Sequence, residues 1–132
     1  MGEEECKRQH SETEQLGYDF MAAAFEVYNI LGAGFLEEVY QESLERELLD
    51  RQIEYVAKPS LNISYKSIIL MKGYEADFVI GKSLLIEIKA ARALAPEHEA
   101  QVFNYLRATK LRVGYLLNFG ASPRLQWRRY IL

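Results

Sequence analysis

Apolar residues recur at steps of three and four from Glu12 onward. Leu16, Phe20, Ala23, Ala24, Val27 and Leu31 fall on one stripe, the spacing of an amphipathic helix. Gly32 and Gly34 are expected to end it, because glycine weakens a helix and admits the turn. A second stripe of Leu36, Val39, Tyr40, Leu44 and Leu48 predicts a helix over 36–50, with most of its glutamates on a solvated face. After Gln52 the texture changes. Residues 53–65 are rich in β-branched and aromatic types, and Pro59 suits an edge or a bulge. A turn is expected within 66–73, beside an apolar stretch at 68–71. Residues 74–80 and 84–90 read as two strands about Gly81-Lys82-Ser83. Pro96 suits the first turn of a third helix reaching about Thr109. Residues 113–119 form a nearly unbroken apolar run, as an interior strand would, and 124–131 read as a last short strand. Residues 1–12 lack periodicity and read as a flexible tail. Over 13–132 no repeat or long linker divides the chain, so one α/β domain is expected, ordered α-α-β-β-β-α-β-β, with a mixed central sheet flanked by helices.

The two strands about Gly81 carry the most chemistry. Side chains alternate along a strand. Ala76, Phe78 and Ile80 share one face, and Glu75, Asp77 and Val79 the other. Leu84, Ile86 and Ile88 share one face, and Leu85, Glu87 and Lys89 the other. A three-residue loop at 81–83 pairs Ile80 with Leu84, and so sets Asp77 opposite Glu87. A slip of one residue would put Asp77 opposite an isoleucine. Two carboxylates then stand with Cβ atoms roughly 5 Å apart, with Lys89 two residues along the same face. Like charges so placed repel, and a cation between them relieves the repulsion. Lys89 is one such cation, giving an ion cluster on a half-exposed sheet. A divalent metal is another, since two carboxylates with backbone and water oxygens make the hard site that Mg²⁺ or Mn²⁺ prefers.

Composition narrows the class. Of 132 residues, 49% are hydrophobic and 27% charged, values that describe a folded globule and exclude a disordered chain. No apolar run approaches the ~20 residues of a membrane helix, so no membrane association is expected. The N-terminus MGEEECKRQH is polar and unlike a signal peptide. Cys6 alone allows no internal disulfide, and a cytoplasmic protein is the expectation. The net charge of −3 conceals a division: residues 1–55 carry 14 acids and 4 bases, and residues 56–132 carry 5 acids and 12 bases. A basic half suits an anionic partner, although a dipole across the fold accounts for it equally.

Asp77, followed after nine residues by Glu87-Ile88-Lys89, resembles the signature of the PD-(D/E)XK nuclease superfamily in its E-x-K form. Gly34-Phe35-Leu36-Glu37-Glu38-Val39-Tyr40 matches Gly-x-x-Glu-x-x-Tyr, the motif that names the GxxExxY protein family. Gln101-Val102-Phe103-Asn104-Tyr105 resembles the Q-x-x-x-Y element of RecB-like and phage-exonuclease-like members. The expected element order is that superfamily's αβββαβ core, a restriction-endonuclease-like fold. Asn104-Tyr105-Leu106 and Leu117-Asn118-Phe119-Gly120 also resemble the GxxExxY family. The resemblance covers about residues 12–132. The proline that often precedes the motif aspartate is Ala76 here, and none of the added domains with which larger nucleases grip DNA is expected in these residues.

The resemblance implies a Mg²⁺- or Mn²⁺-dependent nuclease that hydrolyses phosphodiester bonds in DNA through a metal-activated water. It implies metal ligation by Asp77, Glu87, the Ile88 carbonyl and Glu37. It implies catalytic roles for Glu37, Asp77, Glu87, Lys89 and Gln101, with Gly34, Tyr40 and Tyr105 supporting them. Lys89 would contact the attacking water or a phosphate oxygen, and Gln101 would hold the network or a phosphate. Simpler accounts stand beside these roles: Tyr40 lies on the apolar stripe, His98 reads as an exposed early-helix residue, and Arg124, Trp127, Arg128 and Arg129 read as a solvated last strand before they read as a base-stacking cluster. Arg92, just past the second strand, is within reach of a phosphate. Nucleic acid, DNA first, is the expected partner, and a homodimer is left open. The alternative function is a catalytically silent module on the same fold that binds nucleic acid or a protein.

Overall fold

The computed structural model describes residues 2–132. Among them the chain forms helices α1 (Glu3–Leu31), α2 (Glu37–Asp50) and α3 (Pro96–Thr109). The strands are β1 (Tyr55–Ala57), β2 (Ser60–Leu61), β3 (Ser64–Tyr65), β4 (Ile68–Ile69), β5 (Tyr74–Glu75), β6 (Phe78–Ile80), β7 (Leu84–Lys89), β8 (Val113–Asn118) and β9 (Gln126–Ile131). Five of them make the central sheet, in the order β1-β6-β7-β8-β9. Every pair in it is antiparallel except β7 with β8. That parallel pair needs a crossover, and α3 supplies it. The expected αβββαβ order is therefore present, as β1, β6 and β7, then α3, then β8.

The sheet is covered on both faces. On one face Phe20, Ala24 and Val27 of α1 and Leu44 and Leu48 of α2 pack against Phe78, Ile86, Ile88 and Leu117. Each large apolar side chain buried there contributes about 1.5–3 kcal/mol. On the other face a smaller cluster joins Val102 and Leu106 of α3 to Leu85 and Leu116. The face bearing Glu87 is thus covered by α3, not half-exposed, and Asp77 and Glu87 are only 7% and 6% accessible. The expected loop at 81–83 holds: Ile80 pairs with Leu84 and Phe78 with Ile86.

Three local expectations are corrected. Residues 3–12 are helical, not a tail. Their side chains are mostly exposed, so no apolar period marks them. Glu3, Glu4 and Glu5 instead suit the positive end of the helix dipole, and Glu3 pairs with Lys7 one turn on. The strand expected over 74–80 is broken at Ala76-Asp77, where side-chain hydrogen bonds displace regular pairing. The stretch 53–65 divides into three short strands, and β2 to β5 form an arm outside the central sheet. Its turn falls at Lys66 and Ser67, both at positive φ.

Candidate active site

Asp77 sits at the break between β5 and β6, and every polar group it has is engaged. Its Oδ2 accepts the Ile88 N–H at 2.8 Å, and its own N–H donates to Glu87 Oε1 at 3.2 Å. Its Oδ1 accepts from Lys58 Nζ at 2.7 Å. Its carbonyl accepts from the Lys58 N–H at 2.9 Å and from Gln41 Nε2 at 3.3 Å. The two carboxylates expected to face each other therefore do meet, each held by a backbone N–H of the opposing strand region. Lys58 is set in the left-handed region, at φ 52°. That costs a non-glycine residue about 1–2 kcal/mol, and both ends of Lys58 are tied to Asp77.

Glu87 also accepts a hydrogen bond from the Tyr74 hydroxyl. Burial, and then the charge of Asp77, push its pKa up to about 7, against the opposing pull of Tyr74, the Asp77 N–H and Lys89. Burial and Glu87 in turn hold the Tyr74 hydroxyl far above its usual range. The Tyr74 ring stacks on Tyr105, within 18° of parallel. Gln101 hydrogen-bonds the Tyr105 hydroxyl, whose pKa burial and Glu87 raise. Gln101 and Tyr105, expected on one helical face, thus reach the carboxylates through Tyr74. Gln101 itself is exposed at the surface of α3.

Glu37 opens α2 from an exposed position. Its pKa is raised by burial and by Asp77, and lowered by Lys89 and Lys58. Lys89 thus lies in the field of Glu37 and Glu87. Among the described residues it has no close ion pair. Lys58 loses some charge preference to burial, but Asp77, Glu37 and Glu75 outweigh this and raise its pKa.

The turn that delivers Glu37 explains the rest of its motif. Gly34 adopts φ +114°, and nothing lies within 4 Å of where its Cβ would stand. Glycine is needed there for backbone conformation, not for space. Tyr40 is fully buried and stacks on Phe119. Its hydroxyl donates to the Gly32 carbonyl at 2.6 Å and accepts the Phe35 N–H at 3.2 Å. Tyr40 therefore closes the turn and stays away from the carboxylates. Ile88 sends its side chain into the larger core.

Three residues were missed in the sequence: Lys58, Tyr74 and Gln41. Gln41 follows Glu37 by one helical turn, a spacing that could have marked it. Tyr74 lies three residues before Asp77, but only the arm's pairing turns it toward Glu87. Lys58 carried no signal beyond its place before Pro59. Elsewhere, His98 Nδ1 accepts the Ala95 N–H at 3.1 Å and so caps α3. Arg128 pairs with Glu99 at 3.1 Å, and Trp127 stacks on Tyr115. Arg92 is exposed beyond β7.

The donors suit a hard cation. Asp77 and Glu87 are two buried carboxylates, the Glu87 carboxylate accepting the Asp77 N–H, and an ammonium already sits on Asp77. The buried Gln41 Oε1 has no hydrogen-bond partner, so acceptors exceed donors around Asp77. Among the described residues, no three Asp, Glu, His or Cys side chains group as metal ligands do. Glu37 lies close enough to Asp77 for that charge to raise its pKa. Mg²⁺ commonly takes only one or two carboxylates and keeps its waters. No described helix is long and apolar enough to cross a membrane.

The family model for the PD-(D/E)XK nuclease superfamily matches residues 14–130. Among solved structures, the chain is similar to SSO0001, with 20% identity and a TM-score of 0.52, over 71% of this chain and 48% of that one. It therefore spans about half the length of that protein, and the likeness is one of fold. An alkaline exonuclease from Laribacter hongkongensis aligns at 13% identity and a TM-score of 0.47, over 86% of this chain and 81% of that one. No curated protein matches the sequence.

Proposed function

The chain belongs to the PD-(D/E)XK nuclease superfamily, and from that premise we propose that it hydrolyses phosphodiester bonds in DNA with Mg²⁺ or Mn²⁺ held at Asp77 and Glu87. The observation that carries this reading is the burial of both carboxylates at one place, the Glu87 carboxylate on the Asp77 N–H and the Asp77 carboxylate on the Ile88 N–H, with Lys89 and Glu37 within their field. A divalent ion bound there would lower the pKa of a water and offset charge on the phosphate.

The chain's own residues supply the rest. Asp77 and Glu87, with the Ile88 carbonyl beside them, offer the oxygen donors. The Ile88 N–H and Lys58 orient Asp77, and Tyr74 orients Glu87. Glu87 has to lose its proton to bind a cation, so binding near neutral pH releases protons. Lys89, free of a close partner, would hold an oxygen of the attacking water or of the phosphate and stabilise the charge that builds there. Glu37 would complete the acidic cluster or orient a water bound to the metal. Gln101 would fix Tyr105, and through it the Tyr74 ring.

A second reading rests on the Lys58–Asp77 pair. Its ammonium already neutralises Asp77 at 2.7 Å, as it would in a silent module that binds nucleic acid or a protein. Calorimetric titration of Mn²⁺ into the wild type and Asp77→Asn separates the two. The nuclease reading expects wild-type binding with proton release, loss of that binding in the variant, and DNA cleavage that disappears with it. Absence of Mn²⁺ binding by the wild type favours the silent module. Cleavage that persists in Asp77→Asn would remove Asp77 from the mechanism.

A further inference from the structure

The arm formed by β2 to β5 touches the site only at its base, through Tyr74, and the composition of the rest is unlike that of its surroundings. It is one continuous hairpin. Lys58 N–H meets the Asp77 carbonyl, Ala76 N–H the Pro59 carbonyl, and Leu70 N–H the Ile63 carbonyl. Ser60 pairs with Glu75, Leu61 with Tyr74, Ser64 with Ile69 and Tyr65 with Ile68. Its base is therefore the carboxylate site itself, through Asp77 and Tyr74. At about 3.3 Å per residue, its tip lies roughly 30 Å from Asp77.

All residues from Ser64 to Gly73 are exposed. They include Tyr65, Ile68, Ile69 and Met71, of which Met71 is 106% accessible and Ile68 65%. A hairpin so short gains little from its own pairing, and four consecutive exposed apolar residues, Ile68 to Met71, serve no packing purpose within the fold. Between Glu54 and Glu75 there is no acid, but there are Lys58, Lys66 and Lys72. Lys66 Nζ lies 5.6 Å from the centre of the Tyr65 ring. The helices behind the sheet are acidic by contrast. Residues 60–74, with lysines, no carboxylates, and an aromatic and aliphatic tip, match a ligand with anionic edges and flat apolar faces.

We propose that this arm is a nucleic-acid-binding element. Lys66 and Lys72 rest on phosphates, and Tyr65, Ile68 and Met71 press against the bases about six to nine nucleotides from the bond at Asp77, at 3.4 Å per nucleotide. Apolar side chains of these types wedge against base steps, and aromatic rings stack on bases irrespective of sequence. The proposal rests on the carboxylate site being the reaction centre only for its choice of substrate strand.

The test is fluorescence anisotropy of the full chain with a labelled duplex bearing a single-stranded end, in EDTA so that no cleavage occurs. Combined Tyr65→Ala, Ile68→Ser and Met71→Ser should weaken binding roughly tenfold and leave its salt dependence unchanged. Combined Lys66→Gln and Lys72→Gln should flatten the slope of log affinity against log salt by about 1.5. A duplex ending within about six nucleotides of the cut should bind wild type and arm variants alike. The exposure of these positions keeps the fold intact, which circular dichroism verifies. No binding by the wild type, or binding by both sets of variants equal to that of the wild type, overturns the proposal. Mn²⁺-dependent hydrolysis of bis(p-nitrophenyl) phosphate, too small to reach the arm, reads the site separately. If it depends on Asp77 while the arm variants bind DNA normally, the arm fails alone. If it ignores Asp77 while the arm variants lose DNA, the site reading fails and the arm stands.

Discussion

On one face of β7, Leu84, Ile86 and Ile88 sink into a core supplied by α1 and α2. On the other, Leu85 is followed by Glu87 and Lys89 beneath α3. The first face is dry, and every side chain on it gains by burial. On the second, burial penalises the charge of Glu87 and raises its pKa. The strand thus stabilises the fold with alternate residues and carries an electrostatic load with the others. The load is sustained because the larger core lies on the opposite side of the same backbone.

Substitutions two or three residues apart on β7 should therefore fail in opposite ways. Lys89→Ala is expected to lower DNA cleavage by about 10³-fold and leave the urea midpoint unchanged. Ile86→Ala should cost about 2–5 kcal/mol of stability, while the molecules that remain folded keep their turnover. Parallel urea melts and cleavage assays make the comparison. Unfolding of Lys89→Ala would erase the distinction between the faces.

Titration sharpens it. The folded-state pKa of Glu87 lies above its unfolded value, at about 7 against 4.5. The fold therefore favours the protonated carboxyl. That contribution is complete below about pH 4.5 and is lost as pH rises through 7. Glu87→Gln should remove this dependence. Without metal, the variant should gain on the wild type by on the order of 1–3 kcal/mol between pH 4.5 and 8. Urea melts across that range check it, and a constant difference between the two proteins would refute it.

Tyr40 tests whether the faces are separable at all, because it is buried in the larger core and yet closes the turn before Glu37. Tyr40→Phe keeps the ring and removes the hydroxyl. The expected cost is about 1–2 kcal/mol, since the Phe35 N–H and the Gly32 carbonyl lose their partner. Cleavage at a temperature where the variant is fully folded should fall several-fold if Glu37 placement depends on that turn. Unchanged cleavage would assign Tyr40 to stability alone.

The stripes of α1 and α2 were legible because each helix buries one face, α3 was legible from Pro96 at its first turn, and the 81–83 loop was legible because a slip of one residue would separate Phe78 from the face of Ile86. Asp77 and Glu87 followed from that register. The start of α1 was not legible, since an exposed helix has no apolar period to read. The arm was not legible either: its strands are two residues long, and their pairing is decided by a turn at Lys66-Ser67 that needs positive φ in residues not known for it. Lys58 and Tyr74 enter the site only through that arm. Both were therefore invisible to an argument built on the central hairpin, as was Gln41, whose contact is to a backbone carbonyl.

The parallel pairing of β7 with β8 also has a consequence in time. During synthesis β6 and β7 emerge together, but the second edge of β7 stays open until α3 and β8 have followed. The Lys89 carbonyl is fixed by the Phe119 N–H at 2.8 Å, and the Ala91 N–H by Asn118 Oδ1 at 2.9 Å. Both partners leave the ribosome well after Glu87 does. A chain halted between the two would carry the carboxylates without the scaffold that aligns them.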